Sequence, residues 1–117
     1  MRRKSGFKYQ IEQKLLSVGF EITEIVNGDN WWEEESWNIQ SIYDPKISFY
    51  VYFIIDPQSE NIRDNSPYIY EVRASLIPLN NWNDDSNMIA SITMSKRHFE
   101  IKLNNFTEDI QSYRLAT

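Results

Sequence analysis

Residues 47–55, ISFYVYFII, contain the longest uninterrupted run of apolar and aromatic side chains in the chain. β-branched and aromatic residues favour extended backbone, and successive side chains of a strand point to opposite faces of a sheet. Phe49 and Val51 therefore share one face, while Tyr50 and Tyr52 share the other. Because neither face is polar, the stretch predicts a central strand that is covered on both sides, or one whose second face binds something.

Alternation of apolar and polar side chains predicts the other strands of the same sheet. They span residues 20–26, 37–43, 68–76, 88–95 and 98–103. Asp44-Pro45-Lys46 predicts a tight turn before the central strand, because proline presets φ for a turn. Polar loops at 56–67 and 77–87 separate the later strands, and Lys96-Arg97 predicts a hairpin between the last two.

The connection after the first strand has two interpretations. Asn27-Gly28 is a strong signal for a two-residue hairpin turn, since a type I′ turn needs positive φ at both central positions. The alternative is a longer connection over 27–36, with Trp32–Glu35 as a single helical turn. We favour the longer connection.

Helical spacing of apolar residues marks both ends of the chain. A first helix is predicted over residues 6–18, with Ser5 as its N-cap and Gly19 in left-handed geometry after its last turn. A second helix is predicted over residues 106–115, with Asn105 as its cap. Their apolar stripes are Phe7, Ile11, Leu15 and Val18 in the first helix and Phe106, Ile110 and Tyr113 in the second.

This order of elements predicts a single α+β domain over residues 1–117, with residues 1–5 as a mobile basic tail. Short connections favour a mostly antiparallel meander of five to six strands, and we expect both helices to pack on one face of it. The opposite face is then partly open. It carries Tyr50, Tyr52, Glu71 and Arg73, with Glu71 and Arg73 facing out.

The composition excludes several classes of site. The 117 residues include no cysteine, which rules out a disulfide scaffold, a thiolate zinc site and a cysteine nucleophile. The single histidine, His98, is expected on a solvated surface, so neither a metal ion nor a cofactor is expected. The N-terminus lacks the apolar core of a secretory signal, and no apolar run approaches the ~20 residues of a membrane helix. We therefore expect a cytoplasmic protein without a membrane partner.

Positive charge is missing from a long central part of the chain. Residues 15–45 contain no Lys or Arg, and the net charge of the whole chain is −5. The acidic residues of that segment are Glu21, Glu24, Asp29, Glu33, Glu34, Glu35 and Asp44. Nucleic acid is not an expected partner, since phosphate binding needs clustered bases and only the extreme N-terminus has them. A protein with a basic surface is the favoured partner.

Tryptophans accompany these acids and suggest where such a partner would bind. Trp31, Trp32, Glu33, Glu34 and Glu35, with Trp82 from the second polar loop, form the predicted partner-binding set: the indoles would anchor and the glutamates would steer association. The alternative is that the tryptophans plug the sheet edge beside a solvated turn. Adjacent tryptophans cannot both point inward from one strand, so at least one needs another cover.

No motif identifies a reaction, so an enzyme is left open but is not favoured. The sequence favours a non-catalytic protein-binding module, of the adaptor, chaperone-like or immunity type. One alternative is a small-ligand-binding protein or enzyme, with Tyr50, Tyr52, Glu71 and Arg73 as the ligand face. Another is a self-associating structural protein, and a monomer and a homodimer are both compatible with the sequence.

Overall fold

A computed structural model describes residues 6–28, 32–55, 69–94 and 98–116. The elements are helix α1 (Phe7–Ser17), strands β1 (Phe20–Asn27), β2 (Glu33–Ser41), β3 (Ser48–Ile55), β4 (Ile69–Ser75) and β5 (Met88–Thr93), and helix α2 (Phe99–Ala116). The five strands form one antiparallel meander in which each strand pairs with the next. The predicted α+β fold is confirmed. The expected N-terminal tail and the 56–67 loop lie outside the described residues.

The main core lies between the sheet and the two helices. Phe49, Val51 and Phe53 of β3 face the helices, as the alternation predicts, and are buried there. The aromatic rings meet edge to face: the ring centroids of Phe20 and Phe49 are 5.3 Å apart, and those of Trp37 and Phe53 are 4.7 Å apart. Edge-to-face aromatic pairs add to the stabilisation that burial itself gives. The helices contribute Ile11, Leu15, Leu103, Phe106 and Ile110 to this core.

Helix α1 ends as its sequence predicts but begins differently. Gly19 has φ +93°, the left-handed geometry that glycine adopts without a steric penalty. Its carbonyl accepts a hydrogen bond from the Ile42 N–H at 2.9 Å, so the chain turns directly from the helix into the sheet. The N-cap is Gly6, with no side-chain cap, rather than Ser5.

Strands β1 and β2 form a hairpin, but neither interpretation of its connection is right as predicted: Glu33–Glu35 belong to β2 and not to a helical turn, and Asn27 still pairs with Glu35, so the chain does not reverse at Asn27-Gly28. Strand β2 begins at Glu33, and the Gly28 N–H donates to the Glu34 carbonyl at 3.2 Å. A Cβ on Gly28 would lie 1.7 Å from the Glu33 carbonyl oxygen, so only glycine permits this approach. The start of β2 is paired on both sides, with Glu35 opposite Asn27 of β1 and with Glu33 and Glu35 opposite Ile54 and Phe53 of β3, whereas a single helical turn would leave these backbone groups unpaired.

The strand predicted at 98–103 is wrong, and so is Asn105 as a cap. Helix α2 starts at Phe99 and contains both. Phe99, Leu103, Phe106 and Ile110 recur at helical spacing, so one apolar stripe runs through the whole segment and packs on the core. The first two of these also fit a strand pattern together with Ile101, which is why alternation alone gave the wrong element.

Two substitutions in this segment distinguish the helix from the strand that the alternation suggested. We expect Leu103→Ala to lower the free energy of unfolding by about 2–5 kcal/mol, because the side chain is buried. Ile101→Ala should change it by less than about 0.5 kcal/mol, since Ile101 is 58% exposed and alanine favours helix. Urea unfolding followed by tryptophan fluorescence measures both. Equal losses would contradict the helix.

Candidate functional site

The predicted anchors of the acidic segment do not project freely from the surface. Trp31 lies outside the described residues. Trp32 is only 3% exposed and packs on the side of the sheet opposite the helices, where its ring centroid lies 6.1 Å from that of Tyr52. Trp37 is fully buried against Phe53 on the helix side. Both described indoles of this segment are therefore committed to cores.

Two of the three consecutive glutamates share one ion-pair partner, Lys8 of helix α1. Lys8 Nζ lies 2.6 Å from Glu34 Oε1 and 3.2 Å from Glu35 Oε1, and these ion pairs are half-buried. Glu35 Oε2 also accepts the Trp37 indole N–H, and Lys8 Nζ lies 4.9 Å from the centre of the Phe53 ring. A cation on an aromatic face is stabilised, so Lys8 is held from two sides. These contacts tie α1 to the start of β2.

Trp82 lies on a different surface from the paired glutamates. It is half-buried in the loop over residues 76–87 and packs on a second apolar cluster. That cluster consists of Trp32, Tyr52, Ile54 and Leu79. The structure therefore brings Trp32 and Trp82 to the same cluster, whereas Glu34 and Glu35 reach the helix side.

The face expected to be open is covered. Tyr52 pairs with Arg73 and Ile54 with Glu71 across β3 and β4, so the proposed ligand-face residues do come together. However, the loop over 76–87 lies across them: the Leu79 N–H donates to the Tyr52 hydroxyl at 3.0 Å. Glu71 and Arg73 do lie on the face opposite the helices, as predicted, but both are buried there and not open to solvent. The second apolar face of β3 attracts this cover because it would otherwise remain exposed to water.

A buried ion pair holds the covering loop in place. Arg73 binds Glu71 in two-pronged fashion, with Nε to Oε2 at 2.7 Å and Nη2 to Oε1 at 2.8 Å. Arg73 Nη1 donates to the backbone carbonyls of Trp82 at 2.9 Å and Asp84 at 3.0 Å, and the Ser91 hydroxyl donates to Glu71 Oε2 at 2.7 Å. Planar guanidinium suits this geometry. The charged groups of Glu71 and Arg73 are therefore both engaged in hydrogen bonds within the fold.

Two ionisable groups, Tyr52 on this face and Asp84 in the loop that covers it, have shifted pKa values. Desolvation raises the pKa of Tyr52 above its ordinary 10.0, the bond from the Leu79 amide opposes this, and the negative charge of Glu33 adds to the rise. Hydrogen bonds from the Ser86 side chain and backbone lower the pKa of Asp84 below its ordinary 3.8. Tyr52 is therefore neutral and Asp84 ionised near pH 7, so neither is poised for proton transfer.

Strand β1 carries exposed acidic residues, whereas the glutamates of the predicted partner-binding set, Glu33–Glu35, are half-buried. Thr23 is an extra residue in the β1–β2 register, with Ile22 opposite Ile39 and Glu24 opposite Asn38. Simple alternation over residues 20–26 would place Ile22 and Val26 on one face, but the bulge reverses the alternation and puts them on opposite faces. Ile25 moves to the helix side. We call the exposed residues Glu21, Glu24, Ile25 and Asn27 the β1 edge.

A side-chain hydrogen bond joins the β1 edge to β2. Asn38 Nδ2 donates to Glu24 Oε1 at 2.9 Å, and Glu24 is nevertheless exposed. Across residues 6–28, 32–55, 69–94 and 98–116, no base pairs with Glu21 or Glu24. The meander places β1 at an edge of the sheet, as predicted, but only the pairing of Glu34 and Glu35 with Lys8 shows that the acids of β1 are the ones left without a base among the described residues.

Comparisons with known proteins leave the assignment to the structure itself. No protein-family model, curated protein or solved structure matches this chain. Neither helix of the described chain has the length and apolar character needed to cross a membrane. Within the same residues, no three His, Asp or Glu side chains are grouped as a metal site requires.

Removing one partner of the buried ion pair tests its role in holding the loop. We expect Arg73→Met to lower the free energy of unfolding by about 3–5 kcal/mol, because Glu71 is left buried with only Ser91 as a donor. The double variant Glu71→Leu/Arg73→Met should recover most of that loss, since no uncompensated charge remains. Denaturant unfolding measures all three proteins. A single variant as stable as the wild type would show that the pair does not hold the loop.

Alkaline pH tests the burial of the Tyr52 hydroxyl. The raised pKa means that the folded protein keeps the phenol proton where the unfolded chain has lost it. The resulting stability is complete below about pH 10 and is lost as pH rises through the folded-state pKa. We expect the free energy of unfolding to fall more steeply above about pH 10 in the wild type than in Tyr52→Phe. The control, Tyr43→Phe at a 71% exposed position, should follow the wild type. Identical slopes for Tyr52→Phe and wild type would refute the burial effect.

Proposed function

We propose that the protein is a non-catalytic binding module for a partner protein with a basic surface, and that the partner docks at the β1 edge. The observation that carries this proposal is the contrast between two groups of acids. Glu34 and Glu35 are paired with Lys8, whereas Glu21 and Glu24 are exposed and have no ion-pair partner in the four described ranges. Unpaired surface carboxylates produce a field that attracts a basic partner.

Apolar area lies next to these charges. Ile25 is 43% exposed and is adjacent to Glu24 in the chain, although the two side chains point to opposite faces of the sheet. Apolar area gives an interface affinity, while charges at its rim mainly accelerate and select association. Among the predicted partner-binding residues, Glu33 and Trp82 are half-buried, whereas Trp32 is buried in the second apolar cluster.

The buried polar groups support binding rather than catalysis. Glu71 and Arg73 are saturated by each other, by Ser91 and by the covering loop. A catalytic acid or base needs a free position beside a substrate, which these two residues lack. Adaptor, chaperone-like and immunity-type proteins all act by such binding, so these roles remain the expected ones for this domain.

Charge reversal on β1 tests the proposed function. The partner is first captured from source lysate at low salt and the complex is rebuilt from purified proteins. We expect Glu21→Lys/Glu24→Lys to weaken the affinity at least about tenfold at ~50 mM salt and to flatten its salt dependence, because two attractive charges become repulsive.

The matched control reverses two other exposed acids. Glu108→Lys/Asp109→Lys changes the net charge by the same amount on helix α2, and we expect it to change the affinity by less than about threefold. Equal losses in both variants would show a response to net charge rather than to the β1 edge. No loss in either variant would eliminate the proposed surface.

A further inference from the structure

The outer side of β1 faces no other strand of the described sheet. β1 is the first strand in the sheet order, and β2 is its one strand partner among the described residues. The Gly28 N–H donates to the Glu34 carbonyl, so these two residues form a hydrogen-bonded pair. Two residues along each strand, Val26 and Ser36 form the next hydrogen-bonded pair. Because such pairs alternate with non-bonded ones, the N–H and C=O groups of Ile25 and Asn27 point away from β2.

The side chains along this edge give it two chemically different faces. Ile25 lies opposite Trp37 and therefore faces the helix side, with nearly half of its surface exposed. Glu24 lies opposite Asn38 and therefore faces the other side. A strand added here would meet an apolar contact on one face and a carboxylate on the other.

The same residues discriminate against a second copy of this chain. Pairing two β1 edges antiparallel would place the Glu21 and Glu24 carboxylates of one copy close to those of the other, and like charges on neighbouring strands destabilise pairing. The Thr23 bulge limits the regular edge to residues 24–27. Bulges and charges at edges are the usual barriers to self-pairing. The positive charges of a basic segment would instead be attracted to the Glu21 and Glu24 carboxylates.

We propose that the β1 edge accepts an extended segment of the basic partner as a sixth strand, with an apolar residue beside Ile25 and a Lys or Arg beside Glu24. Backbone bonds to Ile25 and Asn27 would hold the segment, and its alternating side chains would determine which segments bind. This inference rests on the proposed function, since it specifies how the basic partner engages the same edge.

Hydrogen exchange of individual amides tests the pairing directly. The probe is a blocked seven-residue peptide of alternating lysine and valine, titrated into the full chain. We expect the Ile25 and Asn27 amides to exchange rapidly in the free protein and at least tenfold more slowly with saturating peptide. The Val26 amide, which faces β2, should be protected in both states. A peptide of alternating glutamate and valine should give no protection.

A proline variant tests the same bonds through affinity. Asn27→Pro removes an N–H that faces away from β2, and proline is tolerated at such edge positions. We expect it to weaken peptide binding at least tenfold, whereas the control Asn27→Ala should stay within twofold of wild type. Protection of the Val26 amide in the proline variant shows that the β1–β2 hairpin is intact.

The outcomes separate strand addition from the broader proposal. If Glu21→Lys/Glu24→Lys loses binding but the Ile25 and Asn27 amides gain no protection, strand addition is overturned while a basic partner stands. Equal binding of the glutamate peptide overturns the requirement for a basic segment. Protection of the two amides in peptide-free protein at rising concentration, with a matching increase in mass by light scattering, identifies a second copy as the occupant and overturns the proposal.

Discussion

The two apolar faces of β3 impose the arrangement of everything else in this chain. Phe49, Val51 and Phe53 require a cover on one side, and Tyr52 and Ile54 require one on the other. The helices provide the first cover, and the loop over residues 76–87 provides the second. The loop packs Leu79 and Trp82 on this face, and the bonds from Arg73 to its backbone carbonyls fix its course. Both faces of the central strand are therefore covered, and the exposed acids of β1 lie at the edge of the sheet.

The acidic residues fall into two groups: Glu34 and Glu35 pair with Lys8 of α1, and the acids of β1 are exposed to solvent. Lys8 must pass over the edge of the core to reach Glu34 and Glu35, and in doing so it joins α1 to β2. Half-buried ion pairs of this kind contribute modest stability, yet the one positive charge of Lys8 weakens the negative field of both carboxylates. What remains exposed on β1 is a smaller and more localised negative charge than the composition of residues 15–45 suggests.

Local periodicity predicted the elements well, but it could not predict the contacts between them. The alternation of 47–55 gave the correct faces of β3, and Gly19 gave the end of α1. Phe99 and Leu103 fit both a strand and a helix, and only their continuation to Phe106 and Ile110 decides between the two. The site was less predictable, because Lys8 and Glu34 are 26 positions apart and nothing local indicates that they meet. Nor does any local signal mark Thr23 as the bulge that exchanges the faces of Ile25 and Val26.

That bulge links the protection of the edge to its proposed use. An edge strand that lacks bulges, prolines and charged side chains pairs with any extended chain, including another copy of itself. On β1, the Thr23 hydroxyl bonds the Asn38 carbonyl at 3.2 Å and fixes the irregularity, so only a short regular stretch remains beyond it. A single cross-strand pair contributes only about 0.2–1 kcal/mol, so four residues alone would bind weakly. A tight partner must therefore extend past the edge onto the half-buried Asn38 and Tyr50, which lie on the same face as Glu24. In the proposed complex, a specific partner would bind both the short edge of β1 and the polar surface beside it. A random extended segment could pair with the edge but would not fit that surface.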